Sequence, residues 1–196
     1  MKSKNRQAAL LFVKYPRPGK VKTRLAKDIG NQKAADLYKQ LAEQNFLVTR
    51  ACKDADLIIM FDPPEDHVKV HQWLEGAECY IPQEGLGLGE RLINAFKWAF
   101  NNGYSKVTVV GSDTLELTTT IIEQSFEALE EAGVVIGPAK DGGYYLIGLA
   151  SMQPILFEGI SWSTSEVLLQ TKQIIRELGI KLKMLNLLED LDEIKR

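Results

Sequence analysis

The 196-residue chain has only two cysteines, Cys52 and Cys79, too few and too poorly spaced for a disulfide framework or a metal centre, so a reducing cytoplasm is the expected setting. No apolar run is long enough to span a bilayer, and none is expected to meet a membrane. The apolar stretch after the polar residues Met1–Gln7 stops at Lys14, too short and wrongly flanked for a secretory signal. Histidine is scarce as well. His67 and His71 stand four apart on a helical pattern, but no third ligand or catalytic Glu accompanies them, which leaves a zinc centre without support. The spacing G-x-x-x-x-G-K-[ST] of a Walker loop is absent, and so is the G-x-G-x-x-G of a dinucleotide site. With 24 Lys and Arg against 26 Asp and Glu, the chain also lacks the positive charge of a general nucleic-acid binder.

The most telling absence is local. No acid precedes Asp28, whereas Lys2, Lys4, Arg6, Lys14, Arg17, Lys20, Lys22, Arg24 and Lys27 all do. A patch of cations in an otherwise slightly acidic protein suits a small polyanion.

A hydrophobic content of 45% at this length suits one compact domain, 1–196, with a sizeable core. Ala8–Val13, Leu57–Phe61, Val107–Val110 and Val134–Ile136 are short apolar runs, the mark of strands covered on both faces. Helical stripes lie between and after them: Ala34, Leu37, Leu41 and Val48; Leu92, Phe96 and Ala99; Ile122, Phe126 and Leu129; Val167, Thr171, Ile174 and Leu178. Alternation of this kind predicts an α/β fold, a three-layer doubly wound and mostly parallel sheet. Gly142-Gly143 between Val134–Pro138 and Tyr144–Leu149 predicts a hairpin that makes the sheet mixed. Ligands of such sheets sit beyond the carboxyl ends of the strands, so the loops there carry the function.

The first of these loops is Lys14-Tyr-Pro-Arg-Pro-Gly-Lys-Val-Lys-Thr-Arg24. Pro16 and Pro18 stiffen it, and Gly19 allows an unusual turn or a close ligand approach. Lys20, Lys22 and Arg24 alternate, so an extended segment would project them to one side, as donors to phosphate oxygens. The second is Val109-Val-Gly-Ser-Asp113-Thr-Leu-Glu116. Asp113 there is placed to hold Mg²⁺ together with substrate phosphates, or else Asp113 or Thr118 caps the helix starting near Thr119. In the third, Gly137-Pro-Ala-Lys-Asp141-Gly-Gly-Tyr-Tyr145, Asp141 is a candidate base for an acceptor hydroxyl as well as a turn residue. Gln83-Glu-Gly-Leu-Gly87-Leu-Gly89-Glu-Arg91 is a glycine-rich helix entry that could line a base pocket. Ser161-Trp-Ser-Thr-Ser-Glu166 predicts a capping box of Ser163 with Glu166, and Trp162 is a candidate stacking partner for a sugar or base.

Phe12-Val-Lys-x-Pro-x-Pro-Gly-Lys-Val-Lys-Thr-Arg-Leu25, Leu88-Gly-Glu-Arg91, Gly111-Ser-Asp113, Gly137-Pro-x-x-Asp-Gly-Gly-Tyr-Tyr-Leu146 and Trp162-Ser-Thr164 together resemble one bacterial family. It is the GT-A-like "transferase 1, rSAM/selenodomain-associated" family (DUF2064), within the nucleotide-diphospho-sugar transferase superfamily and related to the phospholactate guanylyltransferases. The resemblance runs in order through nearly the whole chain. It implies a nucleotide-binding GT-A sheet, with Lys14, Lys22 and Arg24 on phosphates and Asp113 as the counterpart of the metal-binding Asp. The family usually reads Gly-Ser-Asp-Cys-Pro-Asp, where this chain has Thr114-Leu115-Glu116 after Asp113. It tends to close on Asp-x-Asp-Thr-Pro-Glu-Asp, where this chain reads Asp190-Leu-Asp192-Glu193, and Asp192 is the candidate second metal ligand.

Residues and resemblance together yield a candidate site. Its nucleotide and phosphate contacts are Lys14, Gly19, Lys20, Lys22, Thr23, Arg24, Gln83, Gly87 and Gly89. Asp141, Lys22 and Arg24 are the catalytic candidates; Gly142, Gly143, Tyr144, Trp162 and Thr164 would meet the acceptor; Asp113 and Asp192 would hold Mg²⁺ or Mn²⁺. The expected partners are a nucleotide or nucleotide sugar and a small-molecule acceptor. Glycosyl transfer is the leading expectation. Nucleotidyl transfer of the guanylyltransferase kind and a nucleotide-binding module without turnover are the alternatives.

Overall fold

A computed structural model describes residues 6–189. Its strands and helices in chain order are β1 (Gln7–Lys14), α1 (Ala26–Ile29), α2 (Asn31–Arg50), β2 (Ala55–Asp62), α3 (His67–Trp73), β3 (Cys79–Pro82), α4 (Leu88–Asn101), β4 (Lys106–Gly111), α5 (Thr119–Ala128), β5 (Val134–Pro138), β6 (Tyr144–Leu149), α6 (Val167–Glu177) and β7 (Leu182–Met184). The seven strands form one sheet in the order β3-β2-β1-β4-β6-β5-β7. β1, β2, β3 and β4 pair in parallel, β6 runs antiparallel to both β4 and β5, and β7 is parallel to β5. The expected mixed, mostly parallel α/β sheet is the one found.

Alternation along β1 explains the three layers. Ala9, Leu11 and Val13 point into a core shared with Phe46 of α2, Val70 of α3 and Phe126 of α5. Ala8 and Leu10 point into a second core, shared with Leu92 and Phe96 of α4 and Ile175 of α6. Apolar side chains on both faces force helices onto both faces. The α5 stripe Ile122, Phe126 and Leu129 is buried as expected, but two stripes are rotated. On α2 the buried face includes Tyr38, Asn45 and Thr49, while Leu37 and Val48 are only half-buried. On α6 the face is Val167, Thr171 and Ile175, an i, i+4, i+8 line, and Leu178 is exposed.

The predicted hairpin is present: Val134 pairs with Leu149, and Gly137 with Leu146. Thr118 caps α5, its side chain accepting from the Ile121 amide at 3.3 Å. The expected capping box at α6 is replaced by a turn. Thr164 Oγ1 donates to the Ser161 carbonyl at 2.7 Å and accepts the Glu166 amide at 3.3 Å, and Ser163 takes a left-handed backbone instead. The two histidines are packing residues, His67 against Phe61 and His71 against Tyr80, with ring centroids 5.6 and 4.5 Å apart.

Candidate functional site

The carboxyl ends of β1 and β4, with the loops after β5 and before α6, surround a cleft of about 640 Å³. That is within the range of small-molecule sites. Its lining includes Lys14, Lys20, Lys22, Thr23 and Arg24 of the basic loop, Ser112 and Asp113 after β4, Asp141 after β5, and Ser163, Thr164 and Ser165 before α6. The basic loop reaches it by turning rather than by running extended. Gly19 has φ +75°, the Lys20 amide bonds the Arg17 carbonyl at 3.0 Å, and the buried Val21 and Leu25 anchor the segment inward. Lys20, Lys22 and Arg24 are therefore gathered by a folded turn whose apolar residues face the core.

Lys22 is the centre of the arrangement. Its side chain is only 5% exposed, and its Nζ lies 2.8 Å from Asp113 Oδ2. Among the described residues, only Lys22 and Ser163 are non-glycine residues with left-handed φ, at 45° and 65°, and both line this cleft. Such conformations cost of order 1–3 kcal/mol each and concentrate at functional sites. Arg24 Nη2 reaches the Ser163 carbonyl at 3.5 Å, so the basic loop and the loop before α6 meet across the cleft.

Arg17, although part of the same basic run, turns away. It pairs with the 1% exposed Asp66 at 2.5 Å, and Lys69 adds a second cation to that carboxylate at 3.2 Å. Burial alone would raise the Asp66 pKa, but the bonds from Arg17 and Lys69 outweigh it and hold the carboxyl below its ordinary value. The pair clasps the basic loop to the segment after β2.

The other candidates divide between cleft and packing. Gln83 lines the cleft, but its Nε2 donates to the Met60 and Val13 carbonyls at 2.7 and 3.3 Å and its Oε1 accepts from Arg91 at 3.3 Å. Gly87 opens α4 with nothing within 4 Å of where a side chain would start. Gly89 is tight for a different reason: a Cβ there would stand 2.7 Å from Trp162 Nε1 and 2.6 Å from the Phe157 carbonyl. Trp162 is thus packed over α4 and edge-on to Tyr144, with centroids 6.3 Å apart, rather than lining the cleft. Burial pushes the Tyr144 phenol pKa up. Gly142, φ +90°, gives room to the backbone of Ser165, and the Gly143 amide donates to Asp141 Oδ1 at 2.8 Å. Thr164 and Asp141 are the residues of the proposed acceptor side that line the cleft. Asp192 lies outside the described residues; Glu189 bonds Lys140 at 2.9 Å and, through its carbonyl, the Leu115 amide at 3.2 Å.

Tyr38 and Ser112 also line the cleft, although neither is a candidate residue on sequence grounds. Tyr38 Oη accepts the Lys14 amide at 2.8 Å and lies 2.9 Å from Ser112 Oγ, and burial pushes its pKa up. A tyrosine inside an apolar helical stripe looks like core, and only its hydroxyl tells otherwise.

This mixed sheet with its cleft at the carboxyl edge has the fold of the nucleotide-diphospho-sugar transferases on which it superposes. The chain belongs to the family described as "Uncharacterized protein conserved in bacteria (DUF2064)", whose pattern matches residues 46–164. A candidate nucleotide-diphospho-sugar transferase of Desulfovibrio desulfuricans G20 superposes with a TM-score of 0.90 at 38% identity, over 96% of this chain and 83% of that one. Glucosyl-3-phosphoglycerate synthase from Mycobacterium tuberculosis, in complex with Mn²⁺, UDP and glucosyl-3-phosphoglycerate, shares the fold with a TM-score of 0.61 at 12% identity, over 98% and 73% of the two chains. The inositol-1-phosphate CTP transferase of T. maritima does so with a TM-score of 0.56 at 13% identity, over 99% and 92%. No curated protein matches the sequence.

Proposed function

We propose that the chain is a nucleotide-dependent transferase that moves a glycosyl group from a nucleotide-diphospho-sugar to a small-molecule acceptor, with Mg²⁺ or Mn²⁺ at Asp113. The observation that carries this reading is the Lys22–Asp113 pair, 2.8 Å apart, in a cleft also lined by Lys14, Lys20 and Arg24. No cluster of three or more His, Cys, Asp or Glu that could hold a metal occurs among the described residues. Asp113, with Asp141 lining the same cleft, suits a cation that arrives on phosphate oxygens, because Mg²⁺ takes one or two carboxylates plus substrate phosphates. When bound, the cation neutralises charge on the departing diphosphate.

Lys22 and Arg24 donate to the phosphate oxygens as the anomeric C–O bond breaks and its electron pair leaves with the nucleoside diphosphate. Asp141 accepts the proton of the acceptor hydroxyl, whose oxygen forms the new bond. The D. desulfuricans relative and the Mn²⁺- and UDP-bound synthase support this reading.

A second reading draws on the same cations. Four basic side chains line the cleft, which suits a triphosphate, and the T. maritima neighbour is a CTP transferase. In that case a phosphorylated acceptor attacks the α-phosphate and pyrophosphate leaves.

Thermal-shift titrations in Mg²⁺ with nucleotide sugars, NTPs and pyrophosphate, followed by assays of nucleoside diphosphate and pyrophosphate release over an acceptor panel, separate the two. Stabilisation by nucleotide sugars with release of nucleoside diphosphate is the expected result. Stabilisation by NTPs and pyrophosphate alone would overturn glycosyl transfer in favour of the second reading. Binding without release of either product would leave a nucleotide-binding module.

A further inference from the structure

The geometry points to Tyr38 and Asn45 of α2 as positioning residues that set the Asp113 carboxylate opposite Lys22, an inference that rests on the cation-and-phosphate reading of Asp113. The side chain of Asp113 is 37% exposed on a loop, yet both of its chain neighbours are buried. Each is tied to the same helix. Tyr38 Oη lies 2.9 Å from Ser112 Oγ, and Asn45 Nδ2 donates to the Thr114 carbonyl at 3.1 Å. Tyr38 and Asn45 are seven residues apart, two helical turns, so they present to one face. A third stitch continues the line, since Thr119 Oγ1 donates to the Val48 carbonyl at 2.9 Å. The β4–α5 loop is thus laid along α2 and bonded on both sides of Asp113.

The same tyrosine also fixes the cation. Val21, the residue before Lys22, is buried in a small cluster with Ala35, Tyr38 and Ala42. Tyr38 Oη in addition accepts the amide of Lys14 at the end of β1. One ring and one hydroxyl therefore connect the β1 end, the Lys22 segment and the Asp113 loop. Asn45 is fully buried, and among the described residues its Oδ1 has no hydrogen-bond partner. A half-satisfied buried amide is a net cost, so what the residue contributes is its single bond to Thr114.

The test uses the whole protein and inorganic pyrophosphate as the probe, titrated calorimetrically in EDTA and in Mn²⁺, with Mn²⁺ uptake followed by electron paramagnetic resonance. The ratio of the two affinities is the metal enhancement. Tyr38→Phe and Asn45→Leu are expected to lower that enhancement by about 10- to 100-fold, the effect typical of residues that orient a metal ligand. For Asn45→Leu, which does not line the cleft, metal-free affinity should stay within about twofold, because Lys14, Lys20, Lys22 and Arg24 keep their places there. A lowered melting temperature with undiminished enhancement would make both residues merely structural and overturn the inference. Should Tyr38→Phe fail to fold, Ser112→Ala cuts the same bond from its other end and carries the comparison. Absence of any metal enhancement in the unmutated protein would instead overturn the cation reading of Asp113, and the inference with it.

Discussion

Replacing Gly89 with alanine separates a packing role from a ligand role in the glycine-rich entry to α4. The new Cβ would stand 2.6 Å from the Phe157 carbonyl and 2.7 Å from Trp162 Nε1, well inside van der Waals contact. Neither neighbour yields easily. One is backbone of a buried residue, and the other is a ring packed edge-on against Tyr144. Overpacking of this kind costs about 1–3 kcal/mol, offset by up to about 1 kcal/mol of improved helix propensity. The net destabilisation is on the order of 1–2 kcal/mol, which at about 2–4 °C per kcal/mol for a chain of this size lowers Tm by roughly 2–8 °C. Gly87→Ser is the internal control. That site is open and is the N-cap of α4, where serine is favoured, so Tm should hold or rise slightly. The assay is a melting curve paired with a pyrophosphate titration for each variant. An unchanged Tm in Gly89→Ala together with weakened pyrophosphate binding would refute the packing argument and return Gly89 to the ligand.

Two further outcomes follow from the basic loop. Lys22→Met removes a buried charged donor from the cleft and should weaken pyrophosphate binding about 10- to 100-fold, read by calorimetry, in line with about 1.5–3 kcal/mol for a charge-assisted bond. Asp66→Asn should lower Tm at pH 7, with the deficit relative to the parent fading in melting curves taken at falling pH. The sign is set by the depressed Asp66 pKa: its stabilisation is complete above the unfolded value of about 3.9 and is lost as pH falls through the lower folded value. A deficit that did not shrink at all as the pH falls below that unfolded value would contradict the Arg17–Asp66 clasp.

The central strands were legible because β1, β2, β4 and β5 are covered on both faces and so carry uninterrupted apolar runs. The edge strands β3 and β7 contain no fully buried residue, and their sequences lack any run to recognise. The site divides in a similar way. Lys22 and Asp113 announce themselves by charge and by position after a strand, and they meet at 2.8 Å. Gly89 and Gly142 do not: sequence shows that a close approach is needed there, but not whether a ligand, Trp162 or the Ser165 backbone makes it. Arg17 illustrates the reverse, a charge with the right neighbours in sequence whose partner, Asp66, comes from a distant segment. The rotated stripe of α2 hid Tyr38 and Asn45 because their anchoring atoms serve the neighbouring loop rather than the core.

The antiparallel strand β6 acts as a ruler. Val110 of β4 and Gly137 of β5 both pair with Leu146, so the two strands end level with one another on either side of it. At about 4.8 Å between neighbouring strands, β4 and β5 stand on the order of 10 Å apart. Asp113 follows one of them and Asp141 the other, so the loops that carry the two carboxylates start one strand apart. Were β4 and β5 adjacent, the same loops would start side by side, with like charges facing each other and little room between them. The separation of the two loops is set by the hairpin, before any side chain in the cleft is chosen.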